Sequence, residues 1–148
     1  MSVDEAVLYA HLAATLFMVG LIWFVQVVHY PLMAAVGEQQ FVAYEARHQT
    51  LTGVVVGPPM AVEGVTTLLL FFAPPAGVGR TLPLVAGLVL AVVLGSTVLV
   101  QVPLHGRLSR GFDAAAARRL VSTNWVRTIG WSVRGVLAFA MLARHLGA

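Results

Sequence analysis

Glu45 and His48 stand three residues apart. That spacing puts both side chains on one face of a helix, and carboxylate-bridged metal bundles use it on facing helices. His29 and His105 are two further imidazoles, each at the end of a long apolar run. Three histidines and a carboxylate from three different helices, in a chain without cysteine, suit iron, copper, zinc or manganese. The chemistry this implies is a transition metal held by His29, Glu45, His48 and His105. Gln101 and Asn124 would hydrogen-bond the ligands or a substrate, and Arg127 would stabilise a developing oxyanion or hold Glu45. A single histidine near a helix end more often bonds carbonyls and lipid headgroups, so the argument rests on convergence of the set.

Convergence depends on the elements that carry these residues. The 148 residues are 59% hydrophobic and 10% charged, with a mean hydropathy of +0.87, far from the balance of a water-soluble domain. The expected fold class is all-α, an integral membrane antiparallel four-helix bundle forming one domain over 1–148. Helices are expected over about 6–29, 39–73, 82–109 and 114–145, each long enough for a hydrocarbon core of ~30 Å. The Tyr30-Pro31 step is expected to end the first helix. Phe41, Tyr44, His48 and Leu51 recur at helical spacing and start the second before its apolar part. Pro58-Pro59 should kink that helix and Pro74-Pro75 stop it. Thr81 is the expected N-cap of the third helix, Pro103 should bend its far end, and Asp113 should cap the fourth. No internal repeat or low-complexity segment is visible.

All nine basic residues are arginine, as in a chain coded by a GC-rich genome, and the expected location is a bacterial cytoplasmic (inner) membrane. Arg47, Arg107, Arg110, Arg118 and Arg119 fall on one side of the threaded helices, and Arg80 and Arg144 on the other. Short cytoplasmic loops hold the excess of arginine, which puts both termini outside. The start MSVDEAV is acidic, unlike a signal peptide, and the apolar run behind it is expected to remain as the first helix. The net charge of +3 forms no long basic face, so no nucleic-acid partner is expected; membrane lipid and a hydrophobic small molecule are. Without cysteine, disulfide and thiol redox chemistry are excluded.

Up-and-down threading brings His29, Glu45, His48, Gln101, His105, Asn124 and Arg127 to one depth, near the cytoplasmic end. His11 lies about 27 Å from His29 at 1.5 Å per residue and belongs at the opposite end, and His145 is expected to be solvated. On the fourth helix, Asn124, Arg127, Thr128, Trp131 and Arg134 fall on one side, with Val126, Ile129 and Val133 opposite. Glu63, the only carboxylate deep in an apolar span, is expected to pair with Arg134 across the interior. That pair either neutralises buried charge or serves as a proton-relay or substrate-facing carboxylate. Trp23, Trp125 and Trp131 read as packing or interface anchors.

The segment Gln101-Val102-Pro103-Leu104-His105, followed by Asn124-Trp125-Val126-Arg127-Thr128, resembles the paired motifs of the anthrone oxygenase-like family of small four-helix membrane proteins. Pro31-Leu32-Met33 and Phe41-Val42 are similar to that family as well. Asn124, Arg127 and Thr128 match its pattern, whereas Gln101, His105 and Trp125 depart from it, and His48 stands where an asparagine is expected. The resemblance implies oxygen-dependent oxidation of a flat, phenolic, lipid-soluble substrate. The histidines in place of amides suggest a sister group with a metal its relatives lack.

Two other function classes compete. Two of the histidines could serve as axial ligands of a b-type haem in an electron-transfer protein. Alternatively the chain is a non-enzymatic scaffold, lipid-binding or transport subunit, and transport would require a homo-oligomer. Gly87, Ala91 and Gly95 at four-residue spacing could support its close helix contacts or serve packing inside one bundle.

Overall fold

The computed structural model describes residues Met1 to Ala148 and is all helical, with no strand. Its four long helices are α1 (Val3–Met33), α2 (Glu38–Phe72), α3 (Thr81–Leu108) and α4 (Ala114–Leu146), each long and apolar enough to cross a membrane. The last is the least apolar, with a hydropathy of 1.3 against 2.4 for α3, because it carries the polar stripe. Ser2 and Glu5 form a capping box at the start of α1, and Asp113 accepts from Ala115 and Ala116 N–H at the start of α4. Gly37, at φ 85°, turns the chain into α2 where a Cβ would be strained. The residue preceding α3 is Arg80, without a side-chain cap, so Thr81 is the first helical residue and not the N-cap.

The first helix does not stop at Tyr30-Pro31. A π-helical turn occupies Val25–His29, the Tyr30 N–H reaches back five residues to the Val25 carbonyl, and the helix resumes through Met33. The same device recurs in α3, where Thr97–Gln101 are π-helical, Val102 N–H bonds the Thr97 carbonyl, and Pro103 follows. In both helices the widened turn ends two residues before the proline, which has no N–H to continue the ladder and crowds the preceding turn. The local change of pitch lets the chain pass it without ending the helix. Pro58 and Pro59 lie within the unbroken α2.

Each helix packs against two neighbours, in the order α1, α2, α3, α4 and back to α1. Neither the α1/α3 nor the α2/α4 diagonal has a close backbone approach. Along the α1/α2 contact, His11 meets Thr66, Thr15 meets Glu63 and His29 meets His48, so partners descend on α2 as they ascend on α1. Three apolar layers fill the interior: Leu8, Leu70, Ala86 and Met141; then Met18, Ile22, Val93 and Trp131; then Tyr30, Phe41, Leu104, Leu108 and Leu120. The outer faces stay apolar, as at Val54, Leu88, Ile129 and Val136, all exposed. Gly87 approaches the Thr67 methyl of α2, while Gly95 faces open space and Ala91 is exposed, so that stripe does not act as one packing surface.

Candidate metal centre

The end of the bundle where α1 and α3 carry their π-helical turns gathers most of the chemistry-bearing side chains. Glu45 is fully buried on α2, and its Oε1 lies 2.6 Å from His105 Nδ1 on α3. The other ring nitrogen of His105, Nε2, is 3.1 Å from the Tyr30 hydroxyl of α1. Gln49, one turn after Glu45, donates to the same Oε1 at 3.1 Å. His48 shares the face of α2 with Glu45, and its Nδ1 is held 2.9 Å from His29 Nε2 and 3.1 Å from Thr52 Oγ1.

Glu45, His48 and His105 each offer one ligand atom, and these atoms lie within 4.8 Å of one another. Two ligands of one tetrahedral zinc, at 2.0–2.1 Å, would stand about 3.3 Å apart. The set is therefore slightly open and closes on an ion by side-chain adjustments of about 1 Å. Two details fit a metal. Glu45 Oε2 is buried with no hydrogen-bond partner. Each imidazole also has its second nitrogen engaged by a fixed group, Tyr30 for His105 and His29 with Thr52 for His48, as metal-ligating histidines require.

The structure does not gather all four expected ligands about one point. His29 stands behind His48, with ring centroids 4.6 Å apart, where it orients that imidazole. Asn124 is fully buried and donates to Gln26 at 2.9 Å while its oxygen accepts from Arg127 at 3.2 Å. It thus positions Arg127. That guanidinium bonds Asn124 rather than Glu45, lies 5.4 Å from the Trp131 ring centroid, and keeps its Nε without a partner. Gln101 donates to Thr123 at 3.0 Å and leaves its buried oxygen unpartnered.

A second polar layer occupies the middle of the bundle. Glu63 and Arg134 meet across the α2/α4 diagonal at 3.0 Å, both fully buried. Glu63 also accepts from Thr15 and from Trp131 Nε1, each at 2.9 Å, and Arg134 donates to the Ala86 carbonyl and Thr67. His11 belongs beside this layer: it is buried, bonds Thr66 Oγ1 at 2.8 Å, and has no partner at Nε2. The half-buried His145 contacts the Ala76 carbonyl.

Tyr30, Gln26 and the Trp131 indole N–H join these networks without being expected from the sequence. Gln26 offered a signal, since it is the one amide in the apolar run between Thr15 and His29. Tyr30 offered none beyond its place before Pro31. Set beside protein-family models, curated proteins and solved structures, the chain matches none of them.

Proposed function

We propose that this chain is an integral membrane enzyme whose four helices cross the bilayer as an antiparallel up-and-down bundle. Its polar end would bind one redox-active transition metal ion, iron or copper, and the site would oxidise a lipid-soluble phenolic substrate. The observation that carries this reading is the approach of Glu45, His48 and His105 within 4.8 Å, each imidazole held from behind. The exposed apolar exterior supports the membrane setting, and the arginine asymmetry supports a cytoplasmic position for the site and outside termini. The likeness to the anthrone oxygenase-like family supports an oxidation.

For a phenolic methylene compound, CH2 becomes C=O while dioxygen gives one oxygen atom to that carbon and the other to water, which takes up both hydrogens. A bound redox metal would supply electron exchange with dioxygen. The protein's part is to hold and move charge. Glu45 Oε2, buried and free of partners, would offset the charge of the ion. Arg127, fixed by Asn124 and Trp131, is the cation available to the developing oxyanion.

A second reading needs no metal. Glu45, His105 and Tyr30 stand in a row of carboxylate, imidazole and phenol at 2.6 and 3.1 Å, an arrangement suited to passing a proton. The b-type haem alternative is disfavoured by the same rings, because His48 and His105 centroids are only 5.2 Å apart at 35°, leaving no slot for a macrocycle between them. The test is oxygen uptake by purified protein with a panel of hydrophobic phenols and hydroquinones. His48→Ala and His105→Ala should each lower it by about 100-fold or more. Uptake equal in wild type and both variants, or none with any phenol, would remove the oxidase reading.

A further inference from the structure

A groove of about 350 Å³ opens between α1 and α2 on the outside of the bundle and ends at the candidate centre. Its walls change character along its length. Leu21, Val55 and Val56 line one part, and His29, Tyr44, Arg47 and His48 the other. From Tyr44 to Val56 is twelve residues of helix, about 18 Å. A volume of about 350 Å³ spread over that length makes a long, shallow groove, a shape that suits one hydrocarbon chain lying along its apolar part.

The polar end specifies the head. No carboxylate lines the groove, and Arg47 stands there exposed and unpaired, a donor for a phenol or quinol oxygen. The Tyr44 and His48 rings are within 5° of parallel, with centroids 6.3 Å apart, and both border the groove. A flat ring can stack on either of them. The imidazoles and the Thr52 hydroxyl provide hydrogen-bond partners at the same level.

We propose that this groove binds a single-tailed amphiphile with a hydroxylated aromatic head, an alkylated or prenylated phenol or quinol. Its tail would lie along Leu21 and Val55 and its ring beside His48 and Arg47. The assignment names a substrate for the oxidation proposed above and rests on it for turnover: two quinols would lose two hydrogens each to give quinones while one dioxygen becomes two waters, whereas binding itself requires no metal. A lipid-side groove of this shape presents the substrate ring end-on to the centre without the substrate leaving the bilayer.

The test uses the whole protein in phosphatidylcholine nanodiscs, with a decyl-tailed benzoquinol carrying a photoreactive group in its tail. Labelling should concentrate on the segments 21–25 and 51–56. Excess decyl quinol should compete at least about tenfold better than tail-less quinol or decanoic acid. Val55→Trp and Leu51→Trp should each cut labelling by about tenfold. Both positions are outward-facing, 46% and 54% exposed, so the core is untouched, and an unchanged unfolding midpoint verifies this. Label spread over all four helices, as bulk lipid would give, overturns the proposal; so does equal competition by the tail-less quinol or the acid, or indifference to both tryptophans. His105→Ala, at a candidate ligand that does not line the groove, separates the two readings. Metal-independent activity with labelling intact ends the metal account and leaves the binding site standing.

Discussion

His105 joins three helices through its two ring nitrogens: Nδ1 lies 2.6 Å from Glu45 Oε1 and Nε2 lies 3.1 Å from the Tyr30 hydroxyl. The backbones of α1 and α3 stay apart across their diagonal, so this imidazole and phenol form the polar bridge between them at that end. Tyr30→Phe removes the bridge while keeping the ring in its buried place. The loss should be about 0.5–1.5 kcal/mol of stability, read by denaturant unfolding in detergent. Metal affinity should fall by about 10- to 100-fold, because His105 loses the group that orients it. A Phe variant with wild-type affinity would show that the phenol is only packing.

The Glu63 and Arg134 pair differs in kind. Every donor and acceptor of the pair has a partner, and neither residue touches the Glu45 cluster. Glu63→Gln should therefore destabilise the fold by about 3–5 kcal/mol, since it leaves a buried guanidinium uncompensated. The companion change Arg134→Met in the same chain should recover part of that loss. Metal content should be the same in the double variant as in wild type. Lost metal or activity in a folded double variant would make Glu63 functional.

Gly130 of α4 faces Val93 of α3 so closely that a Cβ there would run into the valine methyl. Gly130→Ala should cost about 1–3 kcal/mol by overpacking, and Val93→Ala added to it should restore part of the loss. Thermal unfolding of the two variants checks whether α3 and α4 touch at this point.

Asp113 caps α4 outside the membrane-spanning segments. The backbone N–H groups of Ala116 and Ala115, with Arg107 alongside, hold its carboxyl below the usual carboxylate range. A depressed value means the cap's contribution is fully present above about pH 4 and is lost as pH falls through the lowered value. Amide exchange in the first turn of α4 should then speed up relative to the middle of the helix in acid. Asp113→Asn caps without titrating, so it should abolish that pH dependence.

Much of this arrangement could be read from residue spacing alone. The stripe Asn124, Thr128, Trp131 and Arg134 is buried, and Val126, Ile129 and Val133 are exposed, as a 100° rotation per residue requires. The Glu45 and His48 face was legible for the same reason. The helix end at Pro31 was not, because a π-helical turn has no signature in an apolar run, and it shifts the side chains that follow. Spacing within α1 relates His11 only to His29. Its place beside Thr66 and Glu63 comes from the pairing of α1 with α2, which pattern within one helix does not contain. Depth brings His29 level with the ligands, and depth alone does not distinguish a ring at the centre from one behind it.

The absence of cysteine makes the orientation easy to probe. Single cysteines at Ser109 and Ala76 lie in loops at opposite ends of the bundle. In intact cells, an impermeant thiol reagent should label Ala76→Cys and spare Ser109→Cys; the reverse pattern would invert the proposed topology.

The most direct measurement is elemental analysis of the protein purified from membranes, with His48→Ala, His105→Ala and Glu45→Gln beside it. The account predicts one transition metal ion per chain in the wild type and its loss from all three folded variants. A wild type that carries no metal after reconstitution with iron or copper, or variants that retain it undiminished, would contradict the account.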